Sequence, residues 1–198
     1  MATVISASLV KELRERTGSG MMECKKALEE TNGDIEKAID ALRAKGAAKA
    51  AKRSERDAKE GTIATYVHGG KIGVLVEVNC ETDFVARNAD FVQLARDIAM
   101  HVAAANPLAL NAADIPADVV EREKAVYLET VKGEGKPEKM WDKIVEGKLA
   151  KFYKESTLLD QPYVKDPDKT VGEYVTEVAS KTGENVVVRR FVRFALGE

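Results

Sequence analysis

The sequence predicts an α+β protein: a small three-helix bundle, then a core domain with a three-stranded antiparallel sheet and several helices. Three observations carry this. Glycines divide the first 46 residues into three short stretches of helical apolar spacing. A strand–Gly-Gly–strand signal follows over residues 62–80. A β-branched and aromatic run at 186–194 closes the chain, separated from the earlier strands by four helical segments.

In the bundle, Ser8 is placed to cap a first helix whose apolar side is Leu9, Val10 and Leu13, and Gly18 ends it. A second helix starts after Gly20, carries Met21, Cys24, Ala27 and Leu28, and ends at Asn32-Gly33. Asp34 caps a third, with Ile35, Ala38, Ile39 and Leu42 at i, i+3, i+4 and i+7, and Gly46 is read as its stop. A bundle this small has a marginal core and serves to present a surface. Residues 47–60 are alanine-rich and charged without an apolar stripe, which predicts a separate exposed connecting helix. The expected division is 1–46 bundle, 47–60 linker and 61–198 core.

In the core, Thr62–His68 and Lys71–Cys80 read as strands around Gly69-Gly70, with Ile72, Val74, Val76 and Val78 alternating onto one face. The first helical segment, Asn88–Ala105, aligns Phe91, Leu94, Ala95, Ile98 and Val102 and ends at Asn106-Pro107. Pro116 and Pro137 start the next two. Thr170 and Glu173 form a capping box for the fourth, which ends at Gly183. The last strand is apolar on both faces, so it is expected between neighbours rather than at an edge.

Composition narrows function mainly by exclusion. A hydrophobic fraction of 44% with 32% charged residues is that of a soluble globular chain, and a net charge of −2 gives no general attraction to nucleic acid or acidic lipid. No apolar run is long enough to span a membrane, and the start at Met1-Ala2-Thr3-Val4 reads as no secretory leader, so a cytoplasmic protein is expected. Cys24 and Cys80 form no CxxC pair and read as small buried hydrophobes in a reducing compartment. His68 and His101 stand in no metal-spaced motif, the glycine groups lack P-loop spacing, and no nucleophile elbow occurs. No catalytic residue, metal or cofactor is expected.

One spot stands out. The strand ending Glu77-Val78-Asn79-Cys80 runs into Glu81-Thr82-Asp83-Phe84-Val85, a turn with an aromatic beside a carboxylate. On the residues alone, two readings stay open: Phe84 as core with Thr82 or Asp83 as a cap, or a projecting wedge whose aromatic fills a partner's pocket.

The run Leu13-Arg14-Glu15-Arg16-Thr17-Gly18-Ser19-Gly20-Met21-Met22-Glu23-Cys24-Lys25-Lys26-Ala27-Leu28 resembles the opening signature of the elongation factor Ts family. Glu77–Ala86 resembles that family's second signature. Ile98–Ala104, Gly135-Lys136-Pro137, Val145–Leu149, Leu159–Asp166, Gly183-Glu184-Asn185 and Val188–Phe191 extend the likeness over essentially the whole chain. Ser19 and Glu23 depart from the usual alanine and aspartate.

The resemblance implies a guanine nucleotide exchange factor, not an enzyme, for elongation factor Tu in its GDP-bound and nucleotide-free forms. It implies a ubiquitin-associated-like N-terminal bundle docking on the partner, with Leu13, Met21 and Met22 at the contact. It places Thr82, Asp83, Phe84 and Val85 as the element entering the partner's magnesium and phosphate site, and His101 as facing the partner. The chain resembles the short form of the family, a resemblance that implies a homodimer through the core domain. Competing readings are an RNA-associated protein using the basic linker and Arg189, Arg190 and Arg193, a small enzyme with a site near His101 and Cys80, and a ubiquitin-binding adaptor.

Overall fold

The computed structural model describes residues 5–198. The bundle consists of α1 (Ala7–Thr17), α2 (Met21–Glu30) and α3 (Ile35–Arg53). Ser6, not Ser8, caps α1 by accepting from the Leu9 amide at 3.2 Å. Gly18, at φ 67°, ends it in the left-handed region. Asp34 caps α3 as expected, accepting from the Lys37 amide at 3.1 Å. Val10, Leu13, Cys24, Ala27, Leu28, Ala38 and Leu42 form the bundle core, flanked by Ile5, Leu9, Ile35 and Ile39.

Gly46 does not stop α3. The helix passes through it to Arg53, so residues 47–53 belong to α3 and no separate connecting helix forms. The reason lies in α8 (Val171–Thr182): a Cβ at Gly46 would sit 2.8 Å from Ser180 Oγ. The glycine permits a close helix crossing, and its helix-breaking tendency, about 1 kcal/mol relative to alanine, is overridden.

β1 (Glu60–His68) and β2 (Ile72–Cys80) form the expected hairpin. Gly69 and Gly70 both have positive φ (55° and 67°), and the Lys71 amide bonds the His68 carbonyl at 2.9 Å, the geometry of a type I′ turn. Gly61 is obligatory for a different reason: at φ 149°, its Cβ would lie 2.2 Å from the Val78 carbonyl oxygen.

The main sheet is antiparallel with order β1-β2-β5, where β5 spans Val187–Ala195. β5 therefore occupies an edge, against expectation. Apolarity on both faces of a strand reports what lies above and below the sheet, and says nothing about pairing within it. In each strand the exposed apolar residues alternate with better-buried neighbours. Ile63 and Val67 alternate with Ala64 and Tyr66, Leu75 with Val74 and Val76, and Val192 and Phe194 with Phe191 and Arg193.

The helices between the strands are α4 (Asp83–Ala86), α5 (Ala89–Ala105), α6 (Ala117–Gly133) and α7 (Trp141–Ser156), with α8 before β5. On α5, Phe91, Leu94, Ala95, Ile98 and Val102 are all buried, as their spacing predicts. α6 and α7 pack on each other. The α8 capping box is present: Glu173 accepts from the Thr170 amide at 2.7 Å, and Thr170 Oγ1 accepts from the Glu173 amide at 3.1 Å. A second small sheet, β3 (Pro162–Tyr163) with β4 (Asp166–Thr170), has no counterpart in the sequence reading.

Two compact units emerge. One draws on the chain up to Ile63, Glu77–Ala95 and Val175–Arg189; the other on Ala64–Val76, Arg96–Tyr174 and Arg190–Glu198. No helix among the described residues is long and apolar enough to cross a membrane.

Candidate functional site

β2 ends at the buried Cys80, whose thiol donates to the Thr82 carbonyl at 3.2 Å. Burial pushes this thiol up to about 11, with the Glu184 carboxylate adding to the effect, so it stays protonated at neutral pH and is a poor nucleophile. Cys24 is likewise free and buried.

Thr82 then adopts an extended conformation and caps α4, its hydroxyl accepting from the Val85 amide at 3.4 Å. The four residues of α4 separate cleanly by exposure. Val85 is buried at 9% and anchors the turn, while Phe84 is 82% exposed. Asp83 is half-exposed, and its carboxylate accepts from Arg87 Nη2 at 2.9 Å. Of the two readings left open, a core Phe84 does not hold and a capping Thr82 does. An aromatic with that exposure gains almost nothing from its own fold, and what stands out of the surface is an aromatic–carboxylate pair on a short, anchored turn.

A second exposed apolar pair lies at the start of α2. Met21 is 45% and Met22 77% exposed, on flexible thioether side chains suited to adapt to a partner's surface. Glu23, beside them, pairs with Lys49 of α3, which holds its carboxyl below the ordinary range.

Leu13 is placed otherwise than the resemblance implies. It is fully buried at the centre of the bundle core, so it supports the Met21–Met22 surface and does not itself present one.

His101 is also fully buried. Its Nε2 faces Gln161 Oε1 at 2.9 Å, while Nδ1 accepts from the Val164 amide at 3.3 Å. Gln161 Nε2 donates to the Glu155 carbonyl at 2.7 Å, which orients the amide and makes Nε2–H the donor of a neutral ring. Desolvation lowers the His101 pKa, only partly offset by Gln161. The ring is thus a structural cross-link from α5 to the β3 region and does not face outward. A single sequence offers no signal to separate a buried helix histidine from an exposed one.

Near it, Asp97 is buried and accepts from Lys165 Nζ at 2.6 Å and from the Tyr174 hydroxyl at 3.1 Å. Burial, with the Asp97 carboxylate beside it, drives the Tyr163 hydroxyl far above its usual range. The cluster is closed by packing: Tyr163 stacks on Tyr174 with centroids 4.9 Å apart. No group of His, Cys, Asp or Glu suited to a metal ion occurs among the described residues.

Glu184, in the loop between α8 and β5, entered the sequence reading only within the Gly183-Glu184-Asn185 likeness, with no role assigned. Its carboxylate accepts from the amides of Glu81 and Thr82 at 2.9 and 3.0 Å and from the Thr82 hydroxyl at 2.6 Å.

What the arrangement presents is a set of exposed apolar groups beside a half-exposed carboxylate on supported turns. The family model described as Elongation factor TS matches residues 4–198. The chain belongs to the elongation factor Ts family. Elongation factor Ts of Desulfosudis oleivorans is 60% identical, with 98% of each chain covered. That of Syntrophobacter fumaroxidans is 56% identical over 100% of this chain and 99% of its own. That of Thermodesulfovibrio yellowstonii is 58% identical over 98% and 97%. The family places the chain in the elongation step of protein biosynthesis.

Proposed function

We propose that the chain is a guanine nucleotide exchange factor for elongation factor Tu, acting in the cytoplasm, and that it catalyses no covalent chemistry. The observation carrying this reading is the Asp83–Phe84 pair on a turn anchored beneath by Val85, in a chain that the family model matches over residues 4–198.

Membership supplies the partner; physics supplies the mechanism. Mg²⁺ demands near-ideal octahedral coordination and bridges nucleotide phosphates to protein, so small displacements of its surroundings weaken nucleotide binding steeply. Phe84 entering an apolar pocket, with Asp83 competing for polar groups beside it, stabilises such a displaced arrangement. Linkage then requires nucleotide to weaken the exchange factor's binding by the same factor, so incoming GTP releases it. The factor engages the GDP-bound and nucleotide-free partner, needs no cofactor, and contacts no nucleic acid in doing so.

Met21 and Met22 form the docking surface of the N-terminal bundle, with Leu13 maintaining it from within. Thr82 and Val85 hold Asp83 and Phe84 outward, and His101 acts from within by fixing Gln161 and the Val164 backbone. In this reading residues 61–198 are also the dimerisation domain. The exposed residues Val67, Leu75, Val192, Phe194 and Leu196 support a second copy as the cover of the open sheet face.

The test is release of fluorescent GDP from elongation factor Tu with substoichiometric amounts of this chain. Acceleration that disappears in Asp83→Ala/Phe84→Ala, with circular dichroism and thermal midpoint unchanged, bears the reading out. Full acceleration by that double variant would overturn the assignment of the element. For the dimer, sedimentation velocity should show a dimer that Leu75→Lys/Phe194→Lys converts to monomer; a monomer before substitution removes that part.

A further inference from the structure

The outward turn is too short to hold its own direction. A four-residue helix is far below the length at which helical hydrogen bonds sustain themselves, and its only buried anchor is Val85. Phe84, exposed as it is, contributes nothing to fixing the angle at which it leaves the surface.

The fixing comes from the far end of the chain. After α8, Gly183 takes φ 78°, a conformation that ends the helix and turns the next residue aside. Glu184 thereby reaches the Glu81–Thr82 peptide. One carboxylate oxygen takes both successive amides, at 2.9 and 3.0 Å, and the other takes the Thr82 hydroxyl at 2.6 Å. That hydroxyl accepts from the Val85 amide, so the carboxylate also sets the lone pair that caps α4.

The connection is reciprocal. Glu81 Oε1 accepts from the Asn185 amide at 2.7 Å, and Asn185 Nδ2 donates to the carbonyls of Arg56 and Ser54 at 2.9 and 3.4 Å. Arg56 Nη1 in turn approaches Glu81 at 3.4 Å. Three stretches distant in sequence are tied around the two residues preceding the turn, and hydrogen bonds to an ionised acceptor are roughly twice as strong as neutral ones.

We propose that Glu184 is a positioning residue for nucleotide exchange, orienting Asp83 and Phe84 through the Glu81–Thr82 backbone before the partner is met. This rests on the function proposed above. Docking through Met21 and Met22 does not involve Glu184, so its loss affects the maximal rate more than the concentration needed for half-saturation.

The experiment uses the full chain with Glu184→Ala, Phe84→Ala and both together, assayed by fluorescent GDP release over a range of factor concentrations. Amide hydrogen exchange at Glu81, Thr82 and Val85 accompanies the assay. The expected result is a fall in maximal rate of roughly tenfold for Glu184→Ala. The half-saturating concentration should change by less than about threefold, and protection at the three amides should be lost. Because Glu184 acts through the turn, adding Glu184→Ala to Phe84→Ala should lower the rate less than about twofold further.

If Glu184→Ala does not fold, Glu184→Gln carries the same cycle. It keeps the side chain's shape but removes the charge: with Oε1 on the two amides, Nε2 donates to the Thr82 hydroxyl instead of accepting from it. A Glu184 variant that exchanges at the unmodified rate while Phe84→Ala is slow overturns the positioning role alone. Losses that multiply fully in the double variant overturn it too, since they make Glu184 independent of Phe84. Phe84→Ala at full rate removes the underlying reading and this inference together.

Discussion

Arg87 donates from Nη2 to the Asp83 carboxylate at 2.9 Å, across one helical turn, on the same surface from which Phe84 projects. The acidic member of the aromatic–carboxylate pair is therefore engaged, yet only loosely, because Arg87 is largely exposed and Asp83 half-exposed. An exposed pair of this kind is worth about 0–1 kcal/mol, so breaking it is cheap on meeting a partner. Arg87→Ala should leave stability within about 1 kcal/mol and the exchange rate within about fivefold, whereas Asp83→Ala should slow exchange far more. Parallel urea titrations and GDP-release assays on the two variants check this; equal losses would make the pair, and not Asp83 alone, the functional unit.

The two apolar classes in the bundle should separate by phenotype. Met22→Ala removes an exposed side chain, so stability should stay within about 0.5 kcal/mol while the half-saturating factor concentration rises. Leu13→Ala empties the centre of a small core and should cost about 2–5 kcal/mol, enough to loosen a bundle of this size. Thermal denaturation with the exchange assay distinguishes them.

His101 makes stability depend on pH. Its folded pKa lies below the ordinary value of 6.5, so the unfolded chain takes up the proton first as pH falls. The neutral ring's contribution is complete above pH 6.5 and is lost as pH falls from there through the folded pKa. The slope reaches at most about 1.4 kcal/mol per pH unit. Protonation would also set a second N–H against the Val164 amide, which now donates to Nδ1. Urea titrations of unmodified chain and His101→Gln at pH 7.5 and 5.5 should show a shallower acid slope in the variant, although it is less stable at both.

The close approach at Gly46 predicts a conditional gain. Gly46→Ala brings helix propensity worth about 1 kcal/mol but a contact to Ser180 Oγ that must be relieved. In a Ser180→Ala background the obstructing oxygen is absent and the neighbouring Cβ, at 3.5 Å, is at ordinary contact distance. Gly46→Ala should therefore be near neutral alone and stabilising by about 0.5–1 kcal/mol in that background. Gly46→Leu should destabilise in either. Thermal midpoints of the variants check all three.

Periodicity and turn chemistry made most of the fold legible. The α5 stripe, the Gly69-Gly70 turn and the Thr170–Glu173 box are local signals, each decided by residues within a turn or two of one another. What escaped was decided at a distance. Gly46 reads as a break until Ser180 is placed against it, and β5 reads as interior because a strand's own residues do not reveal its neighbours. At the candidate site, the aromatic–carboxylate pair was visible as an oddity, but exposure was not. The same apolar character describes an outward Phe84 and an inward Leu13. Glu184 stood in the sequence only as part of the Gly183-Glu184-Asn185 likeness, and its contacts were not legible, since its three donors lie about a hundred positions away.

The two buried thiols have a practical consequence. Cys24 sits in the bundle core and Cys80 at the end of the central strand, and neither can meet an alkylating reagent while its surroundings stay closed. Modification must wait for local opening, so each thiol's labelling rate in native buffer is a clock for the breathing of its own neighbourhood. The single-cysteine versions, Cys80→Ala with Cys24 retained and Cys24→Ser with Cys80 retained, would time the bundle and the base of the outward turn respectively, without attaching any probe to the surface that meets a partner.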